Sequence, residues 1–219
     1  MKINTDGVLL GALAGANDPP NILDIGTGTG VISLMLAQRF NQAQIDAVEI
    51  DETAAATAKR NFEGSPFADR LTSYSTGFEQ FFTQYPDKKY DLIVSNPPFH
   101  INSLESTGAK KNLAKHTDEN FFENLLKKAL KHLDVNGMFW LILPLQAAQL
   151  VNVMAYQYAL NQQKKISVLS YPDSIPHREI LVLTLGEKLE TDEQFVIYDS
   201  LKVYSQQYQC VLKDFFTIF

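Results

Sequence analysis

Asn96-Pro97-Pro98-Phe99 puts a side-chain amide, two prolines and an aromatic ring in four consecutive residues, directly after an apolar run. That set of groups suits gripping a flat, nitrogen-bearing ligand. The prolines fix φ and remove two amide donors, so the carbonyls of the turn are left as acceptors without local competition. Together with the Asn96 amide oxygen, two acceptors can converge on an exocyclic amine, hold both its hydrogens and direct its lone pair at an electrophile. Phe99 can stack on the ring that bears the amine, a contact worth about 1–3 kcal/mol for a nucleobase on an aromatic platform. Methyl transfer from a sulfonium to such an amine is one in-line displacement, governed by positioning and electrostatics. Taken alone, the turn does not separate adenine, guanine or a glutamine amide as the acceptor.

A second constellation lies upstream. Asp24-Ile25-Gly26-Thr27-Gly28-Thr29-Gly30 sets three glycines on alternate positions between an apolar run and a helical pattern. Glycine lets the backbone approach a ligand closely. The spacing is one residue shorter than the dinucleotide fingerprint between its second and third glycine, and Asp24 would repel a pyrophosphate. A carboxylate there suits the ammonium of an amino-acid moiety, so a sulfonium nucleoside fits better than NAD. The next strand, Ala47-Val48-Glu49-Ile50-Asp51, ends in acids, one of which can accept from both hydroxyls of a ribose; Glu49 is favoured over Asp51.

These residues need a sheet to hold them. Apolar periodicity predicts strands over 21–25, 45–50, 71–75, 90–95 and 138–143, alternating with helices over 31–40, 52–62, 78–82 and 118–133. Asn136-Gly137 reads as the end of the last of these helices, and residues 100–117 as a long loop, a length that is usually functional. A helix over 146–160 and two strand-like runs, 166–171 and 179–186, follow. Alternating strands and helices imply a mostly parallel sheet covered on both faces, finished by an antiparallel pair. The fourth strand delivers Asn96 to its carboxyl end, where open α/β sheets bind ligands.

Composition bounds the class. The 219 residues, 45% hydrophobic and 20% charged, can form one domain over 1–219 with a single substantial core. Cys210 is the only cysteine, and no stretch resembles a signal peptide or an apolar membrane span, so a cytoplasmic protein without metal and without membrane attachment is expected. The net charge of −6 argues against coating nucleic acid by bulk electrostatics. Charge is uneven along the chain. Residues 1–99 carry 7 basic and 12 acidic side chains, 100–132 carry 6 and 4, and 133–219 carry 6 and 9. The basic middle segment contains Lys110, Lys111 and Lys115 and follows the Asn-Pro-Pro-Phe turn directly.

The two turns, together with Met1 to Gly11 at the start, Pro176-His177-Arg178, and Tyr204-Ser205, Tyr208 and Phe215-Phe216 near the end, resemble the class I S-adenosylmethionine-dependent N6-adenine methyltransferases. Within them the likeness is to a bacterial group acting on adenine 37 in the anticodon loop of a valine tRNA. The resemblance implies a Rossmann-like, seven-stranded, mostly parallel sheet with an antiparallel C-terminal strand pair, and a monomer. It implies that Asp24, Gly26 and Gly28 line the methionine part of S-adenosylmethionine and that Glu49 holds its ribose. Thr5 and Asp6 would close over the cofactor, and Phe78 would lie on the cofactor side. Asn96, Pro97 and Phe99 would form the catalytic grip on the target adenine, and Lys110, Lys111, Lys115, His177 and Arg178 would meet the RNA, where an Arg fork matches phosphate.

Two departures stand out. Relatives tend to carry, after the third strand, an acid that accepts from the cofactor's adenine amine, whereas this chain reads Ser75-Thr76-Gly77-Phe78-Glu79. A short basic and aromatic segment usually precedes the Met-Lys-Thr-Asp-Gly region, and here Met1 stands at that point, so that extension is expected to be absent. Competing readings are a ribosomal-RNA guanine-N2 methyltransferase, which usually has a duplicated domain, a protein-glutamine methyltransferase, which carries a helical recognition domain, and an inactive S-adenosylmethionine- or RNA-binding protein.

Overall fold

The protein is described by a computed structural model covering residues 4–98, 108–186 and 190–217, with the backbone alone for 108–118. Helix α1 (Thr5–Leu13) precedes five strand–helix units: β1 (Asn21–Ile25) and α2 (Val31–Arg39), β2 (Gln44–Glu49) and α3 (Glu52–Glu63), β3 (Leu71–Ser75) and α4 (Phe78–Gln84), β4 (Tyr90–Ser95) and α5 (Gly108–His132), and β5 (Leu133–Leu143) and α6 (Leu145–Gln157). The chain then runs through β6 (Asn161–Leu169), β7 (Arg178–Thr184), β8 (Thr191–Val196), β9 (Tyr198–Ser200), β10 (Val203–Tyr204) and α7 (Gln206–Leu212).

Among the described residues the main sheet has eight strands in the order β3-β2-β1-β4-β5-β7-β6-β8, one more than the seven expected, and β9 and β10 form a separate antiparallel pair. β7 runs antiparallel to both of its neighbours, while β8 lies parallel to β6. The extra strand is polar. Thr191–Val196 pairs with Lys164–Leu169 of β6, whose Ile166 and Val168 face the core, and Lys164–Glu193 and Lys165–Asp192 ion pairs, each 2.8 Å, tie the polar starts of the two segments together.

Strand residues alternate between two cores, as the pleat requires. Ile22, Leu92, Val94 and Trp140 pack with α1, α2 and α7, whereas Leu23, Ile93, Phe139 and Leu141 pack with α4, α5 and α6. Phe81, Phe82, Phe122 and Phe139 are almost fully enclosed, each contributing about 1.5–3 kcal/mol of burial.

Helix α1 is held at both ends. Asn4 caps its start by accepting from the Gly7 amide at 2.8 Å, and Arg39 of α2 donates to the Gly11 and Ala14 carbonyls at its finish. Trp140 on β5 adds a bond to the Gly15 carbonyl at 3.0 Å. The helix is therefore fastened against the sheet with its first turn at the carboxyl edge of the strands.

Two expectations change around the fourth strand. Helix α5 starts at Gly108 rather than at Asp118, so residues 108–117 are helical instead of loop. Asn136-Gly137 sits inside β5, at a register shift against β4, not at a helix end; a Cβ on Gly137 would come within 2.8 Å of the Tyr90 carbonyl.

Candidate active site

Strand register brings the two turns together. Ile25 of β1 pairs with Val48 of β2 on one side and with Ser95 of β4 on the other. Gly26, Glu49 and Asn96 are each the next residue, so all three emerge side by side. The order reverses here, with β2 to one side of β1 and β4 to the other, which is the crevice where open α/β sheets bind ligands. The Ser95 hydroxyl donates to the Ile25 carbonyl at 2.8 Å and locks the two strand ends together.

The glycine turn is shaped by its backbone. Gly26 has φ +74° and a Cβ there would meet nothing within 4 Å, so the turn opens into free space. Gly30 has φ +88° and a Cβ there would come 2.4 Å from the Phe62 ring of α3. A side chain at position 30 would be excluded by backbone and packing alike.

Below this turn lies Asp24. The structure places it beneath the cavity rather than on its wall, fully buried, with Oδ2 accepting from the Thr27 and Ser33 hydroxyls at 2.7 Å each. Oδ1 has no hydrogen-bond partner among the described residues. Burial pushes the carboxyl up to about 6, opposed by those two hydroxyls and assisted weakly by the Glu49 charge.

Glu49 is oriented by the backbone on both oxygens. The Gly28 amide donates to Oε2 at 2.8 Å and the Asp51 amide to Oε1 at 2.9 Å. Each oxygen keeps a lone pair for a ligand, which matches a vicinal diol. Asp51, the other acid of this strand end, is used as the cap of α3, where its carboxylate accepts from the Ala54 amide. Gly28 is thus a brace for Glu49 and is itself buried.

A cavity of about 570 Å³ runs across these strand ends, within the rough 300–1,000 Å³ range of small-molecule sites. Gly26, Glu49, Phe78, Asn96 and Pro97 line it, as do Asp6 and Arg178 from opposite ends of the chain. Thr5, Asp24, Gly28 and His177 do not. Phe99 lies outside the described residues, and so do the side chains of Lys110, Lys111 and Lys115, whose backbone belongs to α5.

Asp6 and Arg178 meet across the mouth, Nε to Oδ2 at 2.7 Å. The antiparallel pairing of Leu143 with Glu179 is what brings Arg178 to this edge. The Asn96 side chain is half-buried, and its Nδ2 lies 3.7 Å from where a Cβ on Gly7 would sit, so the first turn of α1 roofs the amide. No described residue hydrogen-bonds the Asn96 side chain, which leaves its carbonyl and amino group for a ligand.

Several lining residues escaped the sequence reading, Phe121, Asn4 and Glu79 among them. Phe121 of α5 meets Phe78 edge-on, with ring centroids 5.6 Å apart, and walls the cavity. Its place in the helical apolar series that continues through Leu125 made it look like core alone. Asn4 enters through a helix cap, and Glu79 through the first turn of α4, neither of which has a distinctive motif.

The wall is electrically lopsided. Asp6, Glu49 and Glu79 supply three carboxylates against the one guanidinium of Arg178 among the described lining residues. Such a wall favours a ligand with net positive charge, as a sulfonium amino acid has, and disfavours a pyrophosphate. The open space above Gly26 and the braced Glu49 carboxylate also fit a nucleoside of that kind. Among the described residues no group of His, Cys, Asp and Glu is placed to hold a metal, and no helix is long and apolar enough to cross a membrane.

Comparisons with known proteins agree with this chemistry. Residues 5–170 match the family described as Methyltransferase small domain. The whole chain is 47% identical to a tRNA1(Val) (adenine(37)-N6)-methyltransferase of Pedobacter heparinus, covering 92% of that relative. Over 99% of the chain it is 40% identical to the protein of the same name from Flavobacterium psychrophilum, again covering 92% of it. A solved structure described as a predicted O-methyltransferase from Agrobacterium tumefaciens superposes with TM-score 0.72 at 16% identity, covering 95% of this chain and 96% of the other. TrmN from Thermus thermophilus superposes with TM-score 0.56 at 19% identity over 81% of this chain and 47% of that one. At those identities the likeness is one of fold.

Proposed function

Because the chain belongs to the methyltransferase small-domain family, and within it to the tRNA1(Val) (adenine(37)-N6)-methyltransferases, we propose that it methylates N6 of adenine 37 in tRNA1(Val). The observation that carries this reading is the unengaged Asn96 amide, one residue beyond the strand end that adjoins the glycine turn. S-adenosylmethionine, once bound, supplies an electrophilic methyl on a sulfonium.

The protein's own residues position the exchange. Glu49 holds the ribose diol, and the turn at Gly26 leaves room for the amino-acid arm, with Asp6 and Arg178 at the mouth. Asn96 Oδ1 and the Pro97 carbonyl accept from the two hydrogens of the adenine amine, so its lone pair faces the methyl. Phe99 stacks on the base. S-adenosylmethionine would supply the methyl to the amine held by Asn96 and Pro97, and one amine proton would leave to water. Lys110, Lys111, Lys115 and His177 are the groups proposed to meet the RNA backbone, and Arg178 can serve both the cavity and the RNA. The protein acts in the cytoplasm, where tRNA is its partner.

Labelled S-adenosylmethionine with unmodified tRNA, followed by digestion to nucleosides, tests the reading. Label in N6-methyladenosine supports it; label in N2-methylguanosine, or in protein alone, overturns it.

A further inference from the structure

Past Glu49 the cavity continues between the end of β2 and the start of α4, where Ile50, Gly77, Phe78 and Glu79 line it. A nucleoside whose ribose were held at Glu49 would have this floor within reach of its base. Ile50, 75% exposed, and the Phe78 ring offer flat apolar contact, but neither can tell one purine from another. Glu79 is the one ionisable side chain at this end of the cavity among the described residues, and its carboxylate has no hydrogen-bond or ion-pair partner.

Gly77 has φ −70°, a conformation open to any residue, so the backbone does not demand glycine there. A Cβ at position 77 would stand 3.4 Å from Ile50 Cδ1 and 3.5 Å from Glu79 Oε2. Side chains of a helix lean back toward its start. Glu79, in the first turn of α4, does so, and its carboxylate borders the space that a side chain from position 77 would enter.

We propose that Glu79 is the residue that reads the cofactor's base, accepting a hydrogen bond from the exocyclic amine of adenine, and that Gly77 keeps the intervening space clear. This rests on S-adenosylmethionine being the donor. An acceptor contributed from the helix replaces one from the preceding loop and gives this protein its preference for adenine over a 6-oxopurine.

Calorimetric binding of S-adenosylhomocysteine and its inosine counterpart, without tRNA, tests the assignment. The wild-type protein should prefer the adenine form by about tenfold, in line with one hydrogen bond to a charged acceptor. Glu79→Ala should bind the adenine form about tenfold more weakly and the inosine form unchanged, and Gly77→Asp in the Glu79→Ala background should restore the preference. Glu79 is exposed, so an unchanged melting temperature is expected to accompany the loss. An adenine preference that survives Glu79→Ala overturns the assignment while leaving the cofactor reading intact. A wild-type protein that binds neither compound overturns both.

Discussion

Asp6 in the first turn of α1 and Arg178 at the start of β7, 172 residues apart in sequence, are joined by a 2.7 Å ion pair across the mouth of the cavity. The side chains are 17% and 30% exposed, so the pair is partly shielded from water. It fastens the helix that roofs Asn96 to β7, two strands from β4 in the sheet, and so ties the first turn of α1 to a strand expected to face RNA.

Breaking that pair should therefore be felt at the cofactor first. Asp6→Asn and Arg178→Gln should each weaken S-adenosylhomocysteine binding several-fold, and a double-mutant cycle on stability should return a coupling of about 1 kcal/mol. Calorimetry and urea denaturation check this. Undisturbed cofactor binding with weakened tRNA binding would instead assign Arg178 to the RNA alone.

Glu49 carries a sharper prediction, because both its oxygens already accept from backbone amides. In Glu49→Gln the amino group must confront either the Gly28 or the Asp51 amide, donor against donor. Cofactor affinity should fall about tenfold or more, with roughly 1 kcal/mol of stability lost. Retained affinity would mean that the ribose is held elsewhere.

Asp24 makes stability depend on pH. Its carboxyl is raised from 3.8 to about 6 by burial, so the folded chain binds more protons than the unfolded chain between those values. The contribution is full below about pH 3.8 and is lost as pH rises through 6, by roughly 3 kcal/mol at about 1.4 kcal/mol per unit. Asp24→Asn removes that dependence. The stability of the variant relative to wild type should rise between pH 4.5 and 7, read from urea midpoints, and a constant difference would contradict the burial argument.

Much of the fold was legible because its strands are apolar runs cut off by turn residues. β1, β3 and β4 have the limits that Gly26, Thr76 and Asn96 imply. Helix α1 left no such trace. Its residues Gly7 to Ala12 are all buried, so no polar face alternates with an apolar one. β8 and the start of β6 were hidden for the opposite reason, since strands held together by lysine–carboxylate pairs show no hydrophobic alternation.

At the site, the sequence exposed the groups carried by strand-end turns, Gly26, Glu49 and Asn96, because a short motif and a strand end coincide there. Partnerships between distant segments were invisible. Asp6 and Arg178 could each be assigned to a ligand by resemblance, but nothing in their local sequence told of their meeting. Asp24 was legible as part of the turn, and only packing revealed its burial against Thr27 and Ser33.

The lysines of α5 give an electrostatic prediction. Replacing Lys110, Lys111 and Lys115 with alanine should weaken tRNA binding and reduce the log–log salt slope by about 2, at roughly 0.7–0.9 per phosphate contact. An unchanged slope would make them a solvated helix face.

Asn96→Ala should abolish turnover while leaving S-adenosylhomocysteine affinity within about twofold, since the amide addresses the acceptor and has no described protein partner. Equal loss of both would give it a folding role.

The central claim concerns one atom of one base, and methyl incorporation into paired tRNA1(Val) transcripts tests it most directly. With adenine at position 37 the protein should add one methyl per transcript, recovered as N6-methyladenosine, and with guanine at position 37 it should add none. Equal incorporation into both transcripts would contradict the assignment.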